Sequence, residues 1–114
     1  MGDRRQTVFS QFMQLLNAAG AVPRSVATYA DKLGVSANYL SIVVKEKSGR
    51  TVMEWVDIRT VTQTKILLID PANFTVDQIA EQLDISSSSQ LIRVFKKLTG
   101  ITPLEYKKAK QRRI

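Results

Sequence analysis

The chain has 114 residues, of which 44% are hydrophobic and 24% charged, proportions that suit one folded domain or two very small ones. It contains no cysteine and no histidine, which excludes a disulfide framework, thiol chemistry, the usual zinc sites and the most common general base. No paired arrangement of Asp, Glu, Lys and Ser suggests catalysis. We therefore predict a protein that is not an enzyme and that uses no metal and no cofactor.

The net charge of +7 is concentrated near the C-terminus. Residues 86–114 contain eight basic residues and one acidic residue, whereas residues 1–85 contain nine of each. Such a field favours a polyanion, either nucleic acid or an anionic membrane surface, although a basic run can also serve only as a solubilising tail. The longest apolar run, residues 66–69, is far too short to span a bilayer, and the N-terminus lacks the apolar core of a signal peptide. A cytoplasmic location is expected.

The first half of the chain predicts three helices. Residues 4–19 form the first, with apolar side chains at helical spacing. A second helix and a third helix follow, separated by a turn at Gly34, and Ser36 caps the third helix, which ends at Gly49. Apolar side chains recur at helical spacing on the first helix (Val8, Phe12, Leu15, Leu16 and Ala19) and on the second (Val26, Tyr29, Ala30 and Leu33), and those expected to be buried on the third are Leu40, Val43 and Val44.

The second half predicts four more helices. A long helix over residues 51–69 has no Gly or Pro, and a turn follows at residues 70–73. Thr75 caps the next helix, Asp84 stands at the turn, and Ser86 caps the helix after it; Thr102 and Pro103 open the last helix. The side chains expected to pack are Val76, Ile79, Ala80 and Leu83, then Leu91, Val94, Phe95 and Leu98, then Leu104 and Tyr106.

The two halves are an internal repeat. Residues 26–56 match residues 76–107 once one extra residue is allowed in the second copy, and Ala30 and Ala80 supply the small residue that a helix-turn-helix needs where its helices cross. We predict an all-α fold of about seven helices. Residues 1–50 and 71–114 are the two helix-turn-helix subdomains, and residues 51–70 are the helix that joins them.

The stretches "YADKLGVSANYLSIVVKEKSGRTVMEWV" and "IAEQLDISSSSQLIRVFKKLTGITPLEYKK" carry a family resemblance. Over roughly residues 8–110 the chain resembles the DNA-binding domain of the AraC/XylS family of bacterial transcription regulators. The resemblance implies sequence-specific binding of double-stranded DNA, with both recognition helices in successive segments of the major groove. It also implies two partners, RNA polymerase and a separate effector-binding or dimerisation domain.

In the first recognition helix one side chain suits adenine and another suits thymine. Asn38 can pair with adenine through two hydrogen bonds, and Ser41 can donate or accept one. Ile42 can contact a thymine methyl group, although the family often has a long polar or basic residue there. The outward-facing candidates are Ser36, Ala37, Asn38, Ser41, Ile42 and Lys45.

In the second recognition helix Arg93 is the main candidate for contact with a guanine, and contact with a phosphate is the alternative. Phosphates are expected to bind Lys45, Lys96, Lys97 and the backbone amides that follow Ser36, Thr75 and Ser86. A solvated end is favoured for Arg112 and Arg113. The candidates here are Ser86, Ser87, Ser88, Ser89, Gln90, Ile92, Arg93, Lys96 and Lys97, with Thr75 on the preceding helix.

Trp55 and Tyr106 each follow a closing glycine by six residues, and a packing role is favoured over stacking on bases.

A helical protein-interaction module with a basic tail is the alternative to DNA binding. Attachment to an anionic membrane through the last helix is a weaker hypothesis, because its apolar face is poor.

Overall fold

The computed structural model describes residues 3–111, which form seven helices and no strand. The prediction of an all-α chain is therefore confirmed. Within the described range no helix combines the length and apolar character needed to cross a bilayer. Arg112 and Arg113 lie outside it. The helices are α1 Arg4–Leu16, α2 Val26–Leu33, α3 Ala37–Ser48, α4 Val52–Leu68, α5 Val76–Gln82, α6 Ser88–Thr99 and α7 Pro103–Gln111.

The chain forms two compact units. Unit 1 comprises the segment up to Ala19 together with Pro23–Val56, and unit 2 comprises Gly20–Val22 together with the chain from Asp57 onward. Helix α4 begins in unit 1 and continues into unit 2. The subdomain boundaries predicted at residues 50–51 and 70–71 stay predictions.

Unit 1 is a three-helix arrangement in which α1, α2 and α3 pack on one another. The Phe12 ring meets the Tyr29 ring edge to face, with centroids 5.4 Å apart, and both rings are buried. Leu40, Val43 and Val44 on α3 have no exposed surface. This buried face leaves the opposite side of α3 available to solvent.

Unit 2 repeats the helix pair with α5 and α6, and α7 packs on α6. Ile79, Leu91 and Phe95 are fully buried. The Tyr106 ring of α7 meets the Phe95 ring edge to face at 5.7 Å. Helix α6 is thus held on two sides by apolar packing.

The turn between the two helices of each pair has the same geometry. Gly34 and Asp84 are both left-handed, with φ of 69° and 58°. The amide of the next residue then donates back across the turn, Val35 to the Ala30 carbonyl at 3.1 Å and Ile85 to the Ala80 carbonyl at 2.8 Å. Asp84 therefore adopts the left-handed conformation that Gly34 adopts at the first turn.

Three predictions about packing are wrong. Helix α1 ends at Leu16 rather than at residue 19, because Asn17 caps it with its side-chain amide 2.8 Å from the Met13 carbonyl oxygen. Leu98, which was expected to be buried, is 39% exposed, and Leu104, which was expected to anchor α7 by packing, is 57% exposed. Phe95 and Tyr106 already fill the contact between α6 and α7, so these two leucines stay outside it.

Candidate nucleic-acid interface

Helix α3 is fixed at both ends. The Ser36 hydroxyl oxygen accepts a hydrogen bond from the Tyr39 amide at 3.0 Å, as predicted, and Gly49 ends the helix with a φ of 75°. An ion pair of 2.6 Å joins Glu46 on this helix to Arg5 on α1. The first candidate recognition helix therefore has a defined start, end and rotation.

Helix α6 begins one residue later than predicted. Its cap is Ser87, whose hydroxyl oxygen accepts from the Gln90 amide at 3.1 Å, and the prediction that Ser86 is the cap is wrong. The Ser86 hydroxyl instead donates to the Gln90 side-chain oxygen at 2.9 Å. The extra residue of the second copy therefore lies in the turn, at Ser86, and α6 begins after it.

With that correction, the residues of α3 and α6 can be numbered in one common register. The closing glycine is the thirteenth residue after the cap serine in both, Gly49 after Ser36 and Gly100 after Ser87. Counted from the cap, position 2 is Asn38 or Ser89, position 6 is Ile42 or Arg93, and position 9 is Lys45 or Lys96.

A hydroxyl group near the end of α3 and another near the end of α6 support this match. The Ser48 hydroxyl donates to the Val44 carbonyl oxygen at 2.6 Å and accepts from the Arg50 amide at 3.2 Å. The Thr99 hydroxyl makes the same two bonds, to the Phe95 carbonyl oxygen at 2.8 Å and from the Ile101 amide at 3.3 Å. The match between the two halves of the sequence did not identify either hydroxyl as a functional group.

The helix that follows each recognition helix starts with a reciprocal cap. The Thr51 amide donates to a Glu54 carboxylate oxygen and the Glu54 amide to the Thr51 hydroxyl, at 2.9 and 3.0 Å. Thr102 and Glu105 repeat the pair at 2.9 and 3.1 Å. The hydrogen bonds from the threonine amides lower the pKa of both glutamates. The sequence predicted the Thr102 cap, and the Thr-x-x-Glu spacing could also have revealed Thr51 and the two glutamates.

The candidates on and before α3 lie on its solvent side. Asn38 is exposed, and no described residue forms a hydrogen bond with its side chain. The Lys45 ammonium group donates to the Gly49 carbonyl oxygen at 2.9 Å, so it is held over the end of the helix. Exposed candidates are Ser36, Ala37, Asn38, Ile42 and Lys45, and Ser41 is half-buried.

Among the candidates on and before α6, some side chains have a partner within the described part of the chain and others have none there. Arg93 is exposed, and within residues 3–111 nothing pairs with its guanidinium group. The Lys97 ammonium group lies 3.6 Å from Asp57, a buried carboxylate on α4 that sequence reasoning did not identify. Exposed candidates are Ser86, Ser87, Ser89, Ile92, Arg93, Lys96 and Lys97, and Ser88 and Gln90 are half-buried.

Two of the α6 candidates also line an apolar cavity of unit 2. Ser88 and Ile92 stand beside Val76, Pro103 and Leu104 around a space of about 480 Å³. Thr75 lines the same cavity and caps α5, accepting from the Gln78 amide at 3.1 Å. These three candidates therefore face the α5 and α7 side of α6.

The two aromatic residues are packed, as the sequence favoured. Trp55 is half-buried, and its indole N–H donates to the Ser48 hydroxyl at 2.9 Å. Tyr106 is half-buried against Phe95. Because each ring helps to hold the end of a recognition helix, stacking on a base would require it to leave its partner.

Comparison with known proteins gives both a sequence family and a fold. Residues 29–109 match the family model described as a helix-turn-helix domain. An 82-residue segment, 72% of this chain, is 37% identical to an uncharacterized HTH-type transcriptional regulator, YtdP, of Bacillus subtilis strain 168. That segment is 10% of the relative, so the chain spans about a tenth of its length.

Solved structures with the same fold include two domains of transcription regulators. A transcriptional regulator from Chromobacterium violaceum, described as having an AraC-type DNA-binding domain, superposes with a TM-score of 0.78 at 20% identity, covering 96% of both chains. The DNA-binding domain of AdpA, solved with a target DNA, gives 0.75 at 22% identity, covering 98% of this chain and 97% of that one.

Two helix-turn-helix modules whose second helices match, in a chain that the helix-turn-helix family model covers from residue 29 to 109, define a DNA-binding domain of a transcription regulator. The chain belongs to the AraC/XylS family.

Proposed function

We propose that α3 and α6 are the recognition helices of this domain and that they bind successive segments of the major groove of double-stranded DNA to regulate transcription. The observation that carries the assignment is the matched register of the two helices. Each has a cap serine at one end, a left-handed glycine at the other and a buried apolar face, and each presents an exposed face of similar length. A helix held in this way can enter the groove without rearranging.

Base contacts are assigned to exposed side chains that can recognise a base edge. Asn38 suits adenine, and Arg93 suits guanine, because each can make two hydrogen bonds to one base edge. Ser41 and Gln90 are half-buried, so they are assigned shorter-range contacts. Ala37, Ile42 and Ser89 complete the surface that meets the base edges, and Ser88 and Ile92 lie at its margin, beside the cavity of unit 2.

Phosphate contacts are assigned to lysines and to helix N-termini. Lys45 and Lys96 stand at the same position of the two helices, and Lys97 lies beside Lys96. The caps Ser36, Ser87 and Thr75 occupy only one amide each, so the first amides of α3, α6 and α5 are available for a phosphate. Ser86 contributes from the turn.

Selection of bound sites from random duplex DNA tests the proposal. Two preferred blocks about one helical turn apart are expected if both helices read sequence. One block would mean that a single helix reads bases. An absence of binding to any duplex at low salt would contradict the proposal and favour the alternative, a helical protein-interaction module with a basic tail.

The wider context belongs to the same proposal. As part of a transcription regulator the domain would contact RNA polymerase and would work with an effector-binding or dimerisation domain. The length of the Bacillus subtilis relative, about ten times the matched segment, supports a domain that functions within a longer protein. Its action on bacterial promoters would place it in the cytoplasm.

A further inference from the structure

We infer that the two recognition helices read chemically different base edges at the same position, a thymine methyl group by Ile42 of α3 and a guanine by Arg93 of α6. The inference rests on the proposed function and specifies the DNA that the domain selects. Both residues stand six positions after their cap serine, so the comparison follows from the caps at Ser36 and Ser87.

Position 6 is exposed in both helices. Ile42 is 49% exposed and Arg93 is exposed, while the residues that follow each of them, Val43 and Val94, are buried. The buried valines fix the rotation of each helix on its own unit, so position 6 lies at the same angle from the buried face in both helices. On the proposed function, in which each helix enters the major groove, Ile42 and Arg93 then meet the corresponding base edge of their own segments.

Ile42 is an apolar side chain between polar side chains on the exposed face of α3. Asn38 lies one turn before it and Glu46 one turn after it, and the Glu46 carboxylate is held by Arg5. Isoleucine has no donor or acceptor, and the group in the major groove that an apolar side chain recognises is the 5-methyl of thymine. Ile42 therefore selects for a methyl group.

Arg93 has the opposite chemistry. Its guanidinium group is free of partners among the described residues, and its donors fit the O6 and N7 acceptors of guanine. The preferred site should therefore contain two unlike blocks, one that requires a thymine methyl and one that requires a guanine.

Base analogues test this without changing the protein. In a selected duplex, each thymine is replaced in turn by deoxyuridine, which lacks only the methyl group, and each guanine by 7-deazaguanine, which lacks N7. We expect one thymine at which the loss of the methyl group weakens binding about fourfold, the value that corresponds to one buried methyl group. Ile42→Ala should bind thymine and deoxyuridine duplexes equally there.

An exchange variant supplies the second test. In Ile42→Arg with Arg93→Ile, both changes are on exposed positions, and circular dichroism and thermal unfolding check that the helices persist. The guanine requirement should move to the block that deoxyuridine identified, and the methyl requirement should move to the other block.

The results separate this inference from the proposed function. Specific duplex binding that is indifferent to deoxyuridine at every thymine, or equally sensitive in Ile42→Ala, overturns the inference and leaves DNA binding intact. Failure of the unchanged protein to bind any duplex at low salt overturns the proposed function itself.

Discussion

Arg93 offers the sharpest test of a single side chain. If it makes two hydrogen bonds to a guanine, Arg93→Ala should weaken binding to the selected site by about 1–3 kcal/mol and relax the preference at that base pair. Lys108→Ala, an exposed cation on α7, is the matched control and should leave the base preference unchanged. Affinities on the selected site and on random duplex decide the matter, since an equal loss on both would make Arg93 a phosphate contact.

Tyr29 links a buried hydroxyl to the pH dependence of stability. The residue is 1% exposed, its hydroxyl has no hydrogen-bond partner among the described residues, and burial raises its pKa from 10.0 to about 12. An unfolded tyrosine ionises at about pH 10. Between about pH 10 and 12 the unfolded state therefore loses this proton first, and the stability present below pH 10 is lost as the pH rises.

The variant Tyr29→Phe should remove this dependence. At neutral pH we expect its unfolding free energy to be higher by about 1 kcal/mol, because no unpaired hydroxyl is buried. Urea unfolding of both proteins from pH 8 to pH 11.5 measures the difference, which should widen above pH 10. A constant difference over this range would show that the Tyr29 hydroxyl ionises as readily in the folded protein as in the unfolded chain.

Asp84 and Gly34 form a natural comparison of backbone strain. Both turns are left-handed, and only Asp84 has a Cβ atom there. Asp84→Gly should raise the unfolding free energy by roughly 0.5–1 kcal/mol, whereas Gly34→Ala should lower it by about 1 kcal/mol. An added Cβ at Gly34 would meet no atom within 4 Å, so that loss would be torsional.

Asp84→Ala separates charge from conformation in the same thermal or urea unfolding series. Alanine removes the carboxylate but keeps a Cβ atom in the left-handed region, so the backbone strain remains. If Asp84→Ala matched Asp84→Gly, the gain would come from the lost charge rather than from the released backbone.

At the scale of the element, the sequence predicted the helices well and the cap of α6 poorly. Four consecutive serines offer four possible caps of nearly equal propensity, and identity with Ser36 favoured Ser86. What decides the cap is where the backbone leaves the turn after Ile85, and this depends on the bond to the Ala80 carbonyl. Local sequence does not contain that information.

The exposure of Leu98 and Leu104 was missed for a related reason. Helical spacing shows which side chains share a face, but it does not show how far the neighbouring helix covers that face. The register match of position 6, by contrast, follows from sequence once the cap is placed correctly. Most of the predicted site residues are exposed, while their partners, such as Asp57 for Lys97, needed the structure.

Substitution of the two serines tests the corrected cap. Ser87→Ala should lower the unfolding free energy by about 1 kcal/mol, because the Gln90 amide loses its acceptor. Ser86→Ala is the matched control, and its exposed bond to the Gln90 side chain should be worth less than about 0.5 kcal/mol. Urea unfolding of the two variants gives the comparison, and a larger loss for Ser86→Ala would restore Ser86 as the cap.

At the scale of the whole molecule, charge is shared more evenly than its position in the sequence indicates. Unit 1 contains seven basic and four acidic residues, and unit 2 contains ten basic and six acidic, which gives net charges of +3 and +4. The acidic residues of α5 and its flanking turns, which belong to unit 2, offset much of the basic C-terminal run. Both units are therefore suited to contact phosphates.

The salt dependence of DNA binding should reveal this sharing. Lys45 and Lys96 stand at the same helix position in the two units, and loss of one phosphate contact reduces the slope of log affinity against log salt by about 1. Lys45→Ala and Lys96→Ala should each produce this reduction, and the double variant about twice as much. Titrations from 50 to 200 mM salt measure the slopes; an unchanged slope for Lys45→Ala would exclude Lys45 as a phosphate contact.

The different residues at position 6 also determine how a regulator lies on its promoter. Two identical recognition helices would select two copies of one block, and either helix could then bind either copy. With Ile42 in one helix and Arg93 in the other, exchange would put a charged guanidinium against a methyl group and an isoleucine against guanine acceptors. One chain can then distinguish upstream from downstream, without a second subunit to impose the direction.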